Sequence, residues 1–150
     1  LRGHQKALAE FNIPFRQEWR VEGGLDESGG IQAMEKLLPL VDRGEITAIF
    51  SINDAMAIGA LRRLREAGIR VPDDISLAGC DDLPLAALLQ PALTTVWQPK
   101  RELGLLAAKL ILKQIETRQE RGERWREMYP FQSAMYQPHL VVRDSTCPPG

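Results

Sequence analysis

The chain has 150 residues, 44% hydrophobic and 26% charged, the composition expected of an ordinary soluble globular domain; one domain of this length buries about 68–70% of its unfolded surface and needs no disulfide or metal staple. Its 19 basic and 20 acidic residues leave a formal net charge of −1, which excludes a global electrostatic pull toward nucleic acid or an anionic membrane. Two distant cysteines, Cys80 and Cys147, make neither a disulfide framework nor a zinc cluster, so a reducing cytoplasm is the expected compartment; no signal peptide or bilayer-length apolar stretch is evident.

Residues 1–12 read as a helix stopped by Asn12 and Pro14. Leu1 already belongs to its apolar pattern with Leu8 and Phe11, so the sequence is expected to open inside an element rather than at a natural start. Residues 15–21 alternate, with Phe15, Gln17, Trp19 and Val21 on one side and Arg16, Glu18 and Arg20 on the other, which predicts a strand with one solvated face near a sheet edge. Gly23, Gly24, Ser28, Gly29 and Gly30 predict a loop. Residues 31–38 predict a helix, with Pro39 starting or kinking a last turn before Gly44. ITAIFSI, residues 46–52, is a short apolar run rich in β-branched side chains and predicts a buried strand. A helix over 54–67 follows, capped at Gly68, then a turn at Pro72-Asp73-Asp74 and a second buried strand over 75–80, ISLAGC. A short apolar helix is predicted at 84–89 and a third strand at 93–97, between Pro91 and Pro99. A long helix covers 100–117, with Leu103, Leu106, Ala107, Leu110 and Ile111 on one broad face. The charged run 118–127 reads as a solvated loop or helix extension, 140–142 as a last strand, and 148–150 as a free end. Strands apolar on both faces, alternating with helices, predict a largely parallel α/β sheet flanked by helices. Repeats and low-complexity tracts are absent.

Both central apolar runs stop at a polar pair, Asn53–Asp54 and Asp81–Asp82. In a parallel α/β sheet, ligands bind beyond the carboxyl ends of the strands, and successive strands are often neighbours, so the two pairs are expected to face one crevice. Capping explains the same residues: Asn53 is a good N-cap, Asp54 complements a helix dipole, and Asp81 and Asp82 sit before Pro84. A binding role uses the same atoms. Asn offers an acceptor and two donors and a carboxylate offers acceptors, a set that suits a neutral polyhydroxylated ligand. On this reading capping consumes the Asn53 oxygen and leaves its NH2 for the ligand. Paired carboxylates also hold Mg2+ or act as acid and base, but His4 and His139 lie elsewhere, and no phosphate loop, G-x-S-x-G or Cys–His pair accompanies them. Trp19, Trp97 and Trp125 read either as packing or as platforms for a sugar face. Gly23-Gly24 and Gly29-Gly30 match no phosphate fingerprint and read as turns.

The run Asn53-Asp54-Ala55-Met56-Ala57-Ile58-Gly59-Ala60, then Gly68-Ile69, Val71-Pro72, Asp74-Ile75-Ser76, Gly79, Asp81-Asp82, Pro91, Leu93-Thr94-Thr95-Val96 and Gln98-Pro99, closely resembles the lac repressor family of bacterial transcription regulators. The opening Gly3…Ala7-Leu8 helix and the closing Leu140-Val141-Val142-Arg143-Asp144-Ser145-Thr146 fit too, so the resemblance covers essentially the whole chain. Two positions depart from the family pattern: Cys80 stands where an aromatic is common, and Ile52 is bulkier than the small residue often preceding the Asn.

The resemblance implies a fold like that of periplasmic sugar-binding proteins, in which two subdomains close on a small effector and an N-terminal headpiece binds operator DNA as a dimer. It implies that residues 1–98 are mainly C-terminal subdomain, 99–120 a crossover helix of the N-terminal subdomain and 138–144 a returning strand, with the headpiece absent. Asn53 and Asp81 match positions that bind effector hydroxyls, and Gln98 a cleft position near the crossover. Asp54 and Asp82 match positions that hold loop and cap geometry. The family's effector-contacting Arg would fall just before Leu1, and Arg2 is not its equivalent. Ile58, Leu61 and Leu89 match a dimer surface, with plain core as the competing reading. The implied function is effector sensing and dimerisation in a DNA-binding regulator. The effector is a sugar or nucleoside-like molecule, the assembly a homodimer or larger, and the compartment the cytoplasm, without membrane contact. No catalytic residue, cofactor or metal is expected. The alternative is a periplasmic-type sugar-binding protein of transport or chemotaxis, and the third reading a carboxylate-dependent enzyme.

Overall fold

A computed structural model of the chain describes residues 1–121 and 135–148. In chain order the elements are α1 (Arg2–Glu10), a 3-10 turn at Gln17–Trp19, α2 (Glu27–Asp42), β1 (Ala48–Phe50), α3 (Asp54–Glu66), β2 (Ser76–Asp81), a second 3-10 helix at Pro84–Leu88, β3 (Thr94–Trp97), α4 (Lys100–Arg121) and β4 (His139–Val141). The four strands form one sheet in the order β1-β2-β3-β4, with β1 and β2 parallel and Ala48, Ile49 and Phe50 opposite Ser76, Leu77 and Ala78. This is the α/β architecture the sequence predicts. The chain divides into two compact units, one of Leu1–Val96 with the segment beginning at Leu140, the other of Trp97–His139.

The core of the first unit lies between α2, α3 and the sheet. Met34, Leu37 and Leu40 recur every three residues along α2, and Ala57, Ala60, Leu61 and Leu64 fall at three- and four-residue spacings on α3, so each helix carries one apolar stripe. Ile75 and Leu77 of the β2 region and Leu93 before β3 close the cluster. The two helices approach closely because glycine faces backbone at both contacts. A Cβ on Gly30 would lie 2.0 Å from the Met56 carbonyl oxygen, and one on Gly59 would lie 2.0 Å from that of Glu27.

Of the loop that the sequence suggests, Gly23 and Gly24 do lie outside any helix, but Ser28, Gly29 and Gly30 belong to α2. Asp26 caps α2 by accepting from the Gly29 N–H at 2.8 Å, the helix starts at Glu27, and it runs through Pro39 to Asp42. Gly29 and Gly30 are buried in its first turns. Hydrogen bonds from the Gly29 N–H and the Ser28 hydroxyl hold the Asp26 carboxyl below its ordinary value. At the end of α1 the stop signal reads as expected: Asn12 takes φ +57, and the Ile13 N–H reaches back to the Leu8 carbonyl.

Residues 15–21 do not form the predicted strand. They hold a single 3-10 turn at Gln17–Trp19 between extended residues Arg16 and Arg20. Trp19 and Val21 still pack on the core, with the Arg16 guanidinium 5.1 Å from the Trp19 ring centre. Alternation specifies which side chains point inward, but a strand also needs a neighbour for its N–H and C=O groups, and none of the four strands of the sheet pairs with this segment.

β1 is likewise less buried than its apolar run implies. It lies at a sheet edge, leaving Phe50 56% exposed and Ile52, just past its end, 65% exposed. β2 is the buried strand, with Leu77 and Gly79 inward.

In the second unit, α4 carries apolar side chains on more than the predicted stripe. Leu106 and Leu110 are half-buried, whereas Leu103, Leu105, Ile111, Leu112 and Ile115 are exposed. At about 100° per residue, Leu105 and Leu112 fall opposite the 103/106/110 face. Among the described residues no helix is long and apolar enough to cross a membrane. Trp125, residues 122–127 of the charged run and the end at 149–150 lie outside the described residues.

Gly59→Ala should lower stability by about 1–3 kcal/mol through overpacking against the Glu27 carbonyl, outweighing a helix-propensity gain of about 1 kcal/mol. A Cβ on Gly104 of α4 meets nothing within 4 Å. Gly104→Ala should therefore be neutral or stabilising by up to about 1 kcal/mol. Urea unfolding of both variants checks the contrast.

Candidate functional site

β1 and β2 pair in parallel up to Phe50 and Ala78; Asn53 follows the end of β1, and Asp81 is the last residue of β2. The ladder already continues past β1, since the Ser51 N–H donates to the Ala78 carbonyl at 2.8 Å. The two polar pairs thus end neighbouring parallel strands on the same side of the sheet, where such folds bind ligands.

Asn53 is the N-cap of α3. Its backbone is extended, and its side-chain oxygen accepts from the Met56 N–H at 2.8 Å. Its NH2 is not left wholly to a ligand as the sequence suggests: one N–H donates to the Leu25 carbonyl at 2.9 Å. The cap therefore also anchors the loop that leads into α2. One N–H of the amide is left for a ligand.

Asp54 is fully buried. One carboxylate oxygen accepts from the Thr95 hydroxyl at 2.6 Å; the other accepts from the Leu83 N–H at 2.8 Å. The room for it comes from Gly79, where a Cβ would stand 2.3 Å from the first of those oxygens. Thr95 turns its oxygen the other way as well, accepting from the Asp82 N–H at 3.3 Å. Asp54 thus reaches across from α3 to hold the turn after β2 and the middle of β3 at once.

That turn is strained. Asp81 has φ +126 and Asp82 has φ +50, values that residues with a Cβ rarely adopt. Neither caps the following 3-10 helix. Its N-cap is Leu83, without a side-chain cap bond. Asp82 instead accepts from Arg143 at 2.6 Å, both side chains being 19% exposed. The second terminal nitrogen of Arg143 donates to the Leu93 carbonyl at 2.8 Å.

Of the other residues singled out by sequence, Gln98 is half-buried and belongs to the second unit. Trp97 stacks on His139, their ring centres 4.7 Å apart, and Trp19 packs on the core. Leu61 is 2% exposed inside its own core, while Ile58 and Leu89 are half-buried. Among the described residues, no group of three or more His, Cys, Asp or Glu side chains is arranged to hold a metal ion. Thr95, Gly79 and Arg143 entered the sequence reading only as parts of matching runs, without roles. The available signal was polarity in an apolar context: Thr94-Thr95 directly after Leu93, and an Arg beside the last strand.

Asp54→Ala would leave the Leu83 N–H and the Thr95 hydroxyl without their acceptor. At about 1–3 kcal/mol for each buried group left unsatisfied, the loss of stability should be about 2–6 kcal/mol. Gly79→Ala should be destabilising through the same carboxylate. Urea melts of the two variants and their combination, which should be less than additive, read this out.

Comparison with known proteins follows the same lines. The profile of periplasmic binding protein-like domains matches residues 1–146. An HTH-type transcriptional repressor PurR from Vibrio vulnificus (strain CMCP6) is 38% identical over 145 residues, covering 97% of this chain and 40% of that protein. The ribose operon repressor of Haemophilus influenzae is 35% identical, again covering 97% of this chain and 40% of the relative. A LacI family transcriptional regulator from Enterococcus faecium, solved with bound ribose, superposes with a TM-score of 0.78 at 32% identity, covering 97% of this chain and 50% of that one. The chain thus spans 40% of the length of the two repressors it matches.

Proposed function

Because this chain belongs to the periplasmic binding protein-like domain family, in the form shared with LacI-type regulators, we propose that it is the effector-sensing part of a LacI-type transcription regulator. The observation that supports the reading is that Asn53 follows β1 and Asp81 closes β2, at the carboxyl ends of two strands that pair in parallel. A carboxylate accepts from hydroxyls and the Asn N–H donates to them, which suits a sugar or the ribose of a nucleoside-like molecule. The relatives described above are repressors and regulators rather than transport proteins or enzymes, which disfavours the alternatives.

In this proposal, effector binding favours one closure of the core, and the shift in population changes the geometry presented to operator DNA. DNA contact is made by a headpiece outside these residues, consistent with the formal charge of −1. Gln98, in the second unit, is the other effector-contact position that the family resemblance implies. Homodimer contacts use the surface around Ile58 and Leu89, with Leu61 supporting it from the core.

Calorimetric titration of the full-length protein with D-ribose, cellobiose and inosine tests the reading. At least one should bind, and Asp81→Ala should weaken it roughly 10- to 150-fold for each charged hydrogen bond lost, with little change in a urea melt. A clear loss of stability with unchanged affinity would make Asp81 a residue that holds the turn instead. Failure of all three compounds to bind wild type would overturn the effector class.

A further inference from the structure

We propose that Arg143 is the positioning residue of the effector site, holding the Asp81–Asp82 turn in the conformation that presents Asp81; the proposal rests on the effector reading of Asp81. Arg143 follows β4, yet its guanidinium fork is committed to two places distant in sequence. One terminal nitrogen bonds Asp82 at 2.6 Å and the other bonds the Leu93 carbonyl, just before β3, at 2.8 Å. Its own backbone is fixed too, because the Arg143 N–H donates to the Thr94 hydroxyl oxygen at 2.9 Å. A planar, bidentate donor anchored in this way specifies direction as well as distance.

The turn needs such a restraint. Asp81 and Asp82 occupy φ +126 and φ +50 in succession, and residues in sparsely populated regions persist only where their surroundings over-determine them. Glycine would take these angles without a side-chain penalty, yet both positions carry carboxylates. Asp82 is held from two sides, its N–H by Thr95 and its carboxylate by Arg143. Asp81 lies between that clamp and the body of β2. Releasing the Asp82 carboxylate frees the turn to relax toward ordinary angles, and the direction of the Asp81 side chain changes with it.

The test compares Arg143→Met, Arg143→Lys and Asp82→Asn in the full-length protein, with two readouts. Hydrogen exchange measured by mass spectrometry should rise at least about tenfold in residues 79–83 of Arg143→Met, without a matching rise in α3, the mark of local rather than global opening. D-ribose affinity should fall about tenfold or more in Arg143→Met, in line with loss of one charged hydrogen bond. In an Asp81→Ala background the same substitution should cost no further affinity, which a purely structural Arg would not produce. Arg143→Lys and Asp82→Asn keep a donor or an acceptor and should lie between. Unchanged exchange at 79–83, or increased exchange with D-ribose affinity unaltered while Asp81→Ala still loses it, overturns the proposal. If Asp81→Ala binds D-ribose as wild type does, or wild type does not bind D-ribose, the effector reading fails for this sugar and takes the proposal with it; the exchange result then shows separately whether the clamp exists.

Discussion

The buried carboxylate of Asp54 is the constraint on which the first unit depends. A charged group with no exposure to water is costly unless its oxygens are satisfied, and here both are, by Thr95 and Leu83. Those partners lie 41 and 29 residues away in sequence, so one side chain joins the start of α3 to β3 and to the turn after β2. The absence of a side chain at Gly79 is part of the same arrangement, since any Cβ there would collide with the carboxylate. The network therefore specifies a geometry, and the strand ends inherit it.

Ser145 has a comparable role at the other end of β2. Its backbone oxygen accepts from the Leu77 N–H, and its N–H donates to the Ala92 carbonyl. Its buried hydroxyl donates to the Leu77 carbonyl at 2.6 Å and accepts from the Thr94 N–H at 2.8 Å. Residues from the end of the chain thus complete hydrogen bonding that β2 and the start of β3 do not complete between themselves. Buried polar groups of this kind are costly when unpaired, so the first unit needs both of its sequence segments to be a satisfied structure. Arg143, two residues earlier, extends the same stitching to Asp82.

Two capping residues show how a local motif acquires a second duty. Asn53 caps α3, as its position before an apolar helical run implies, but its amide also ties down Leu25. Asp26 caps α2 and so turns a glycine-rich stretch into the first turns of a helix. The glycines there serve backbone approach: Gly30 and Gly59 let α2 and α3 meet carbonyl to Cα.

The sequence by itself determined the order of helices and strands from residue 31 onward, the Asn12 and Gly68 stops, and the placement of Asn53 and Asp81 at strand ends. Those features follow from periodicity, cap chemistry and allowed backbone angles, which act over a few residues. Tertiary structure alone decided that 15–21 is a turn packed on the core rather than a strand, because a strand requires a partner that alternation cannot reveal. It decided that β1 is an edge, that α4 carries exposed apolar residues beyond its predicted face, and that α2 begins at Glu27. It also assigned Asp54, Gly79, Thr95, Asp82 and Arg143 to one polar network. A hydrogen bond between residues 41 or 61 positions apart, one buried and one part-buried, leaves no periodic trace in the chain; only the packing that takes the partners out of water makes it obligatory.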